Sequence, residues 1–230
     1  MKKLIFLSIL LFCSGQMIYA QQSAKWHSLF AGNSVKQLRG YKMDTFPDQA
    51  WKVEDGALVA QTGVPNVDLV TKETYTNFDL TLEWKVSKAG NSGVFYNVQE
   101  NSSHESGNGN SPNWLDNFEF QILDDIDFND HEPKRSAGSL YDLIAPQHKH
   151  LKPVGEYNTA RLLVNHGHVE QWLNGQKVVE YELGSESLNN LISNSKYKTN
   201  PHFAKSTSGH IMFQHHGQKV WLRDIKIKRL

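Results

Sequence analysis

Two short segments set ionisable side chains beside amides. In Phe118-Glu-Phe-Gln-Ile-Leu-Asp-Asp125, apolar and polar residues alternate. An extended strand then puts Glu119 and Gln121 on one face and Phe118, Phe120 and Ile122 on the other. In His210-Ile-Met-Phe-Gln-His-His216, residues His210, Met212, Gln214 and His216 share a face, with Ile211 and Phe213 opposite and Gly217 following. Glu and His transfer protons near neutral pH, and amides offer both donors and acceptors to hydroxyl-rich ligands. Two such strands in one sheet could build a polar patch that holds a sugar and moves a proton. The plainer reading is a solvated sheet face, with either His215 or His216 a surface residue.

A third group lies in Ala137-Gly-Ser-Leu-Tyr-Asp-Leu-Ile-Ala-Pro146 and Lys152-Pro-Val-Gly-Glu-Tyr-Asn158. Tyr141, Lys152, Glu156 and Asn158 fall at loops and strand ends there, where turn chemistry around Pro146, Pro153 and Gly155 is the competing reading. Trp172 and Trp221 carry rings able to stack on sugars, but on strands they are expected in the core. His148 and His150 flank Lys149 without forming a spaced metal motif. The chain has no phosphate-cradling glycine loop, no G-x-S-x-G elbow and no H-E-x-x-H helix.

The elements that must position these groups read as strands. Phe78-Asp-Leu-Thr-Leu-Glu-Trp-Lys-Val86 alternates strictly, which predicts Phe78, Leu80, Leu82, Trp84 and Val86 on a core face. Further strands are expected at 58–60, 93–98, 118–123, 139–144, 159–165, 168–173, 177–181, 210–216 and 220–227. Asn174-Gly175 is a hairpin signal of the primed-turn type, and 165–167 resembles a second tight turn. A short helix is expected at 185–194. Polar residues 99–113 and acidic residues 124–134 read as long loops. Many short strands separated by turns predict an all-β sandwich, barrel or jelly roll.

Lys2, Lys3, the apolar run Leu4 to Phe12 and the small Ala20 have the layout of a secretory signal peptide over residues 1–20. That apolar run is shorter than the about 20 residues needed to span a bilayer, and no later stretch approaches that length. Residues 21–230 are expected to form one domain, exported to the periplasm or beyond. The only cysteine, Cys13, lies in the leader. Cleavage just before it would instead give a lipid anchor, although bulky Phe12 disfavours that cut. Removing residues 1–20 takes two of the 24 Lys+Arg and none of the 24 Asp+Glu, leaving a formal charge of −2. That balance gives no electrostatic case for nucleic acid or an anionic membrane as partner. Oligomeric state is not readable.

These segments recur in order with Gly90-Asn-Ser-Gly-Val-Phe-Tyr96, Val169-Glu-Gln-Trp-Leu-Asn-Gly175, Gly209-His-Ile-Met-Phe-Gln-His-His-Gly217 and Val220-Trp-Leu-Arg-Asp-Ile-Lys-Ile227. Together with Trp26 to Gly40 and Trp51-Lys-Val-Glu-Asp-Gly-Ala-Leu58, the set resembles the 3-keto-disaccharide hydrolase domain of secreted bacterial proteins across residues 24–230. The resemblance implies a concanavalin A-like jelly roll, a β-sandwich of two antiparallel sheets with a concave sugar-binding face. It also implies an oligosaccharide or glycoside substrate oxidised to a ketone at C3. Two positions depart from the pattern: Asn97 stands where Arg is expected, and Gln214-His215-His216-Gly217 where Gln-Asp-His-Gly is expected.

A C3 ketone acidifies the hydrogen on C2. Its removal gives an enediolate that can expel the group on C1, and water then adds back. The chemistry requires a base near C2, a donor or cation at the C3 oxygen and an acid at the leaving oxygen. Candidates are Glu119 or His216 as base, Gln121 and Gln214 as orienting groups, and Tyr141 or Lys152 at the oxyanion. Asn91, Asn97, Asp124 and Glu156 are candidate substrate contacts. A divalent metal held by Glu119, His216 or Asp124 is an alternative to the donor at the C3 oxygen. The pocket is expected to hold Glu119, Gln121, Gln214 and His216, with Tyr141, Lys152 and Glu156 at its rim. The competing class is a non-catalytic, lectin-like carbohydrate-binding module, and after it a structural envelope protein.

Overall fold

The computed structural model describes residues 25–100 and 116–230. The leader with Cys13, and the loop expected at 99–113 beyond residue 100, lie outside the described residues. Thirteen strands form the frame: β1 Trp26–Phe30, β2 Leu38–Gly40, β3 Trp51–Glu54, β4 Ala57–Ala60, β5 Leu69–Thr71, β6 Phe78–Val86, β7 Asn91–Val98, β8 Phe118–Leu123, β9 Asn158–Asn165, β10 His168–Leu173, β11 Gln176–Glu182, β12 His210–Phe213 and β13 Val220–Arg229. One short helix, α1 Glu186–Ser193, is capped by Ser185, whose side chain accepts from the Leu188 N–H.

The strands build two antiparallel sheets. The larger has the order β11-β10-β9-β6-β13-β4-β3, with β1 also paired to β13; the smaller has the order β2-β5-β12-β7-β8. This is the jelly-roll sandwich that the resemblance implied, and one of the three all-β architectures that the alternation left open. Val94, Tyr96, Phe118, Phe120, Ile122, Ile211 and Phe213 of the smaller sheet share one core with Phe78, Leu80, Leu82 and Trp84 of the larger. Asn174 and Gly175 have φ of +50° and +80°, as a type I′ hairpin requires, and His166 and Gly167 repeat this at +52° and +94°. Among the described residues, no helix is long and apolar enough to cross a membrane.

Three expectations need correction. Trp172 and Trp221 are not core residues: each is half-buried on the outward face of the larger sheet. In β10 the inward positions are Val169, Gln171 and Leu173, so strand parity turns Trp172 outward. Residues 139–144 do not form a strand, although Leu140 bridges Phe120 and Ile144. The strand expected at 210–216 ends at Phe213.

Candidate functional site

The smaller sheet is covered on its outward face as well, so every residue of β8 is buried. Cross-strand pairing places Phe95 opposite Glu119 and Gly93 opposite Gln121. The Gln214 N–H donates to the Gly93 carbonyl at 3.0 Å, and the Ser92 hydroxyl donates to the Gln214 carbonyl at 2.8 Å. These bonds extend the ladder past the end of β12 and bring Gln214 beside β7. On the far side, residues 138–141 run along β8: Gly138 N–H donates to Gln121 O, Gln121 N–H to Ser139 O, and Tyr141 N–H to Glu119 O at 3.0 Å. Tyr141 is thereby fixed next to Glu119.

The result is a small cavity of about 120 Å³ lined by Asn91, Glu119, Gln121, Tyr141, Lys196, Tyr197, Gln214 and His216. Six of these residues were sequence candidates. The side-chain oxygens of Asn91 and Gln121 are buried there and accept no hydrogen bond. Such orphan acceptors call for a ligand hydroxyl or an ordered water. His216 Nδ1 lies 2.7 Å from Gln218 Oε1. With the amide oxygen accepting, Nδ1 carries the proton and Nε2 is the basic nitrogen. Its ring meets Phe128 edge-on at 6.0 Å.

Burial pushes the Glu119 carboxyl up to about 8; the nearby Lys196 ammonium opposes this and Asp68 adds to it. At neutral pH Glu119 is therefore mostly a neutral acid able to donate a proton. Burial and then the Glu119 charge raise the Tyr141 phenol to about 12. Tyr197 is raised as well, chiefly by burial.

Lys196 and Tyr197 are the residues that sequence reasoning missed. They sit in a polar stretch, 195–199, with no strand alternation to mark a face. The Ser195 hydroxyl accepts from the Tyr197 N–H at 3.0 Å, closing a single helical turn. The Tyr197 ring stacks on Phe203 at 3.9 Å. That anchor holds the Lys196 ammonium 4.1 Å from the Tyr141 ring centre and 5.2 Å from that of Tyr197. Lys196 as a whole is exposed, yet desolvation lowers its pKa, against the pull of Asp142 and Glu119.

Four candidates lie elsewhere. Asp124, Lys152 and Glu156 line a separate hollow of about 570 Å³ together with Trp84, Ile126 and Val154. Lys152 is exposed and donates its ammonium to the Tyr157 carbonyl at 2.8 Å. The Asp124 carboxylate accepts from the N–H groups of Ala89, Ile126 and Asp127, so it serves as a turn cap. Asn97 has φ of +59° at a bulge between β7 and β12 and does not line the cavity. The set Glu119, His216 and Asp124 is thus divided between two places and does not converge as metal ligands. Among the described residues, His168, Glu170 and Glu180 are the three-residue group that does converge, and the Lys177 ammonium already pairs with both glutamates, at 3.2 and 2.7 Å.

Residues 25–228 match the model of the 3-keto-alpha-glucoside-1,2-lyase-like domain. A 3-keto-disaccharide hydrolase of Bacteroides thetaiotaomicron is 34% identical over 232 residues, covering 88% of this chain and 78% of that protein. The crystal structure of a candidate glycosyl hydrolase from Parabacteroides distasonis ATCC 8503 superposes with a TM-score of 0.79 at 31% identity, covering 89% of this chain and 94% of the other. A Bacillus subtilis protein with a galectin-like fold, 13% identical, superposes at 0.55 over 90% of this chain and 98% of its own, and shares the fold alone. The ordered motifs, the sandwich and the family match coincide over nearly the same residues, and the chain belongs to the 3-keto-α-glucoside 1,2-lyase-like domain family.

Proposed function

We propose that this chain is a carbohydrate-active enzyme that cleaves 3-keto-glucosides at C1 by elimination, with water adding back to give net hydrolysis. One observation carries the reading: a buried, neutral Glu119 carboxyl shares a small cavity with a basic His216 nitrogen and two unsatisfied amide oxygens. A cavity of about 120 Å³ is far below the about 300–1,000 Å³ that encloses a drug-sized ligand. It suits one sugar ring, with the leaving group outside.

In an α-glucoside the hydrogen on C2 and the oxygen on C1 are axial on opposite faces of the ring. The base and the acid must therefore be different groups. His216 Nε2 takes the C2 proton, and the C–H electrons move onto the C3 oxygen. The ammonium of Lys196 and the phenol of Tyr141 stabilise that oxyanion. As the C3 carbonyl re-forms, the C1–C2 double bond forms and the C1–O bond breaks. Glu119 gives its proton to the departing oxygen. Water then adds at C1, C2 regains a proton, and a 3-keto sugar is released. Elimination alone is a lyase reaction, and elimination followed by hydration is a hydrolysis. The leader-like N-terminus supports placing this reaction outside the cytoplasm.

The test is incubation of the purified protein with a 3-keto-α-disaccharide and with its non-oxidised parent, each with and without EDTA. Cleavage confined to the oxidised sugar, with a transient enone absorbance, is expected. Equal cleavage of both sugars would overturn the mechanism. Sugar binding without cleavage of either would favour a lectin-like module.

A further inference from the structure

The larger sheet turns its other face to solvent, and that face carries a built hollow. Trp172 on β10 stands opposite Arg161 on β9, Arg161 opposite Thr81 on β6, and Thr81 opposite Lys226 on β13. The four form one row across adjacent strands, about 14 Å long at the usual strand spacing. A hollow of about 410 Å³ lies over this row. The Trp172 indole N–H donates to Glu170 at 2.9 Å, which fixes the ring's orientation. Arg161 lies 5.5 Å from the ring centre and is itself held by Asp79 at 2.7 and 3.0 Å.

Beside the row the pairing of β13 with β6 slips between Arg223 and Lys226, and Asp224 adopts φ of +49°. Bulges re-aim side chains, and a non-glycine residue in the left-handed region is strained unless its surroundings hold it there. Asp224 lines the hollow, and no hydrogen bond or ion pair among the described residues engages its carboxylate. The same is true of the Lys226 ammonium. A fixed aromatic ring, an uncommitted carboxylate, an ammonium and a threonine hydroxyl therefore border one open hollow.

We propose that this face is a second carbohydrate-binding site, without catalytic groups, that takes an oligosaccharide laid across β10, β9, β6 and β13. Trp172 stacks on the apolar face of one ring. Asp224 accepts from sugar hydroxyls, and Lys226 and Thr81 complete the hydrogen bonding. The site is on the opposite sheet from Glu119 and does not depend on the reaction proposed above.

Calorimetric titration with maltohexaose, cellohexaose and laminarihexaose tests this. At least one should bind wild type, and E119Q should bind it equally well. W172A should weaken binding tenfold or more. D224G removes the carboxylate while relieving the left-handed strain, so it should keep or raise Tm yet weaken binding several-fold. If W172A proves unfolded, D224G alone decides. No binding of any of the three sugars would overturn the proposal. So would binding undiminished in the folded variants, or binding lost in E119Q, which would put the sugar in the other cavity.

Discussion

The Glu119 carboxyl rests directly over the backbone of Gly93: a Cβ added at Gly93 would lie 2.1 Å from Glu119 Oε1 and 2.8 Å from its carboxyl carbon. The missing side chain on β7 is what lets an acid from β8 lie flat against the sheet. Gly93→Ala should therefore dislodge Glu119 while sparing the hydrophobic core on the other face. Misplacement by about 1 Å commonly costs about 100-fold in rate. We expect kcat on a 3-keto-glucoside to fall by about that factor, with far-ultraviolet circular dichroism unchanged.

Removing the Glu119 proton should expose its role through the leaving group. Glu119→Gln is expected to lose about 10²–10⁴-fold with a sugar or alkyl alcohol leaving group, the usual scale for a general acid or base. It should retain most activity on a nitrophenyl 3-keto-α-glucoside, whose leaving group needs no proton. Equal loss on both substrates would make Glu119 the base instead.

The raised pKa also sets two pH trends. A proton donor with a pKa of about 8 loses its proton above that value, so kcat/KM should fall on the alkaline side of about pH 8. Stability moves in the same direction. Between the ordinary value of 4.5 and about 8, the folded chain keeps a proton that the unfolded chain has released. The stability tied to the neutral carboxyl is complete below about 4.5 and is lost as pH rises to about 8. The Tm of wild type should therefore decline relative to that of Glu119→Gln across this window in a series of thermal melts.

Lys196→Met keeps an unbranched side chain of similar length beside Tyr141 and Tyr197 and removes the charge that sits over their rings. Loss of one oxyanion donor typically costs about 10²–10³-fold in kcat. We expect that loss with Tm near wild type. An unchanged kcat would leave the C3 oxygen to Tyr141.

Lys152→Ala should behave differently. Lys152 lies in the separate hollow with its ammonium on the Tyr157 carbonyl, so kcat and KM should stay within about twofold of wild type. A large loss would bring that hollow into the reaction.

The sandwich was legible because period-two alternation survives wherever one strand face is buried: Phe78, Leu80, Leu82, Trp84 and Val86, and likewise Phe118, Phe120 and Ile122, reach the core as the pattern implied. Short strands such as β2 and β5, of three residues each, carry too few positions to show a period. In the cavity, Glu119 and Gln121 were legible from parity, whereas Gln214 and His216 line it from beyond the end of β12 at Phe213, where an unbroken strand no longer sets the face. Lys196 was not legible, because a single helical turn braced by Tyr197 on Phe203 brings it there, and no local pattern encodes that contact. Lys152 and Glu156 misled for the converse reason. A polar cluster in a turn-rich segment fixes its own backbone as readily as it faces a ligand, and sequence order says nothing about which hollow it borders. Trp172 and Trp221 misled because parity, rather than ring size, decides which way a strand residue points.

The run of hydrogen bonds from residues 138–141 onto β8 has a consequence for solubility. β8 is the last strand of its sheet, and an unpaired terminal strand is a template for joining another chain. The segment that aims Tyr141 thus also occupies the valences through which molecules would stack edge to edge. Changes that pry this segment loose should make the protein self-associate as it loses activity, because one stretch of backbone both closes the sheet edge and carries Tyr141 to Glu119.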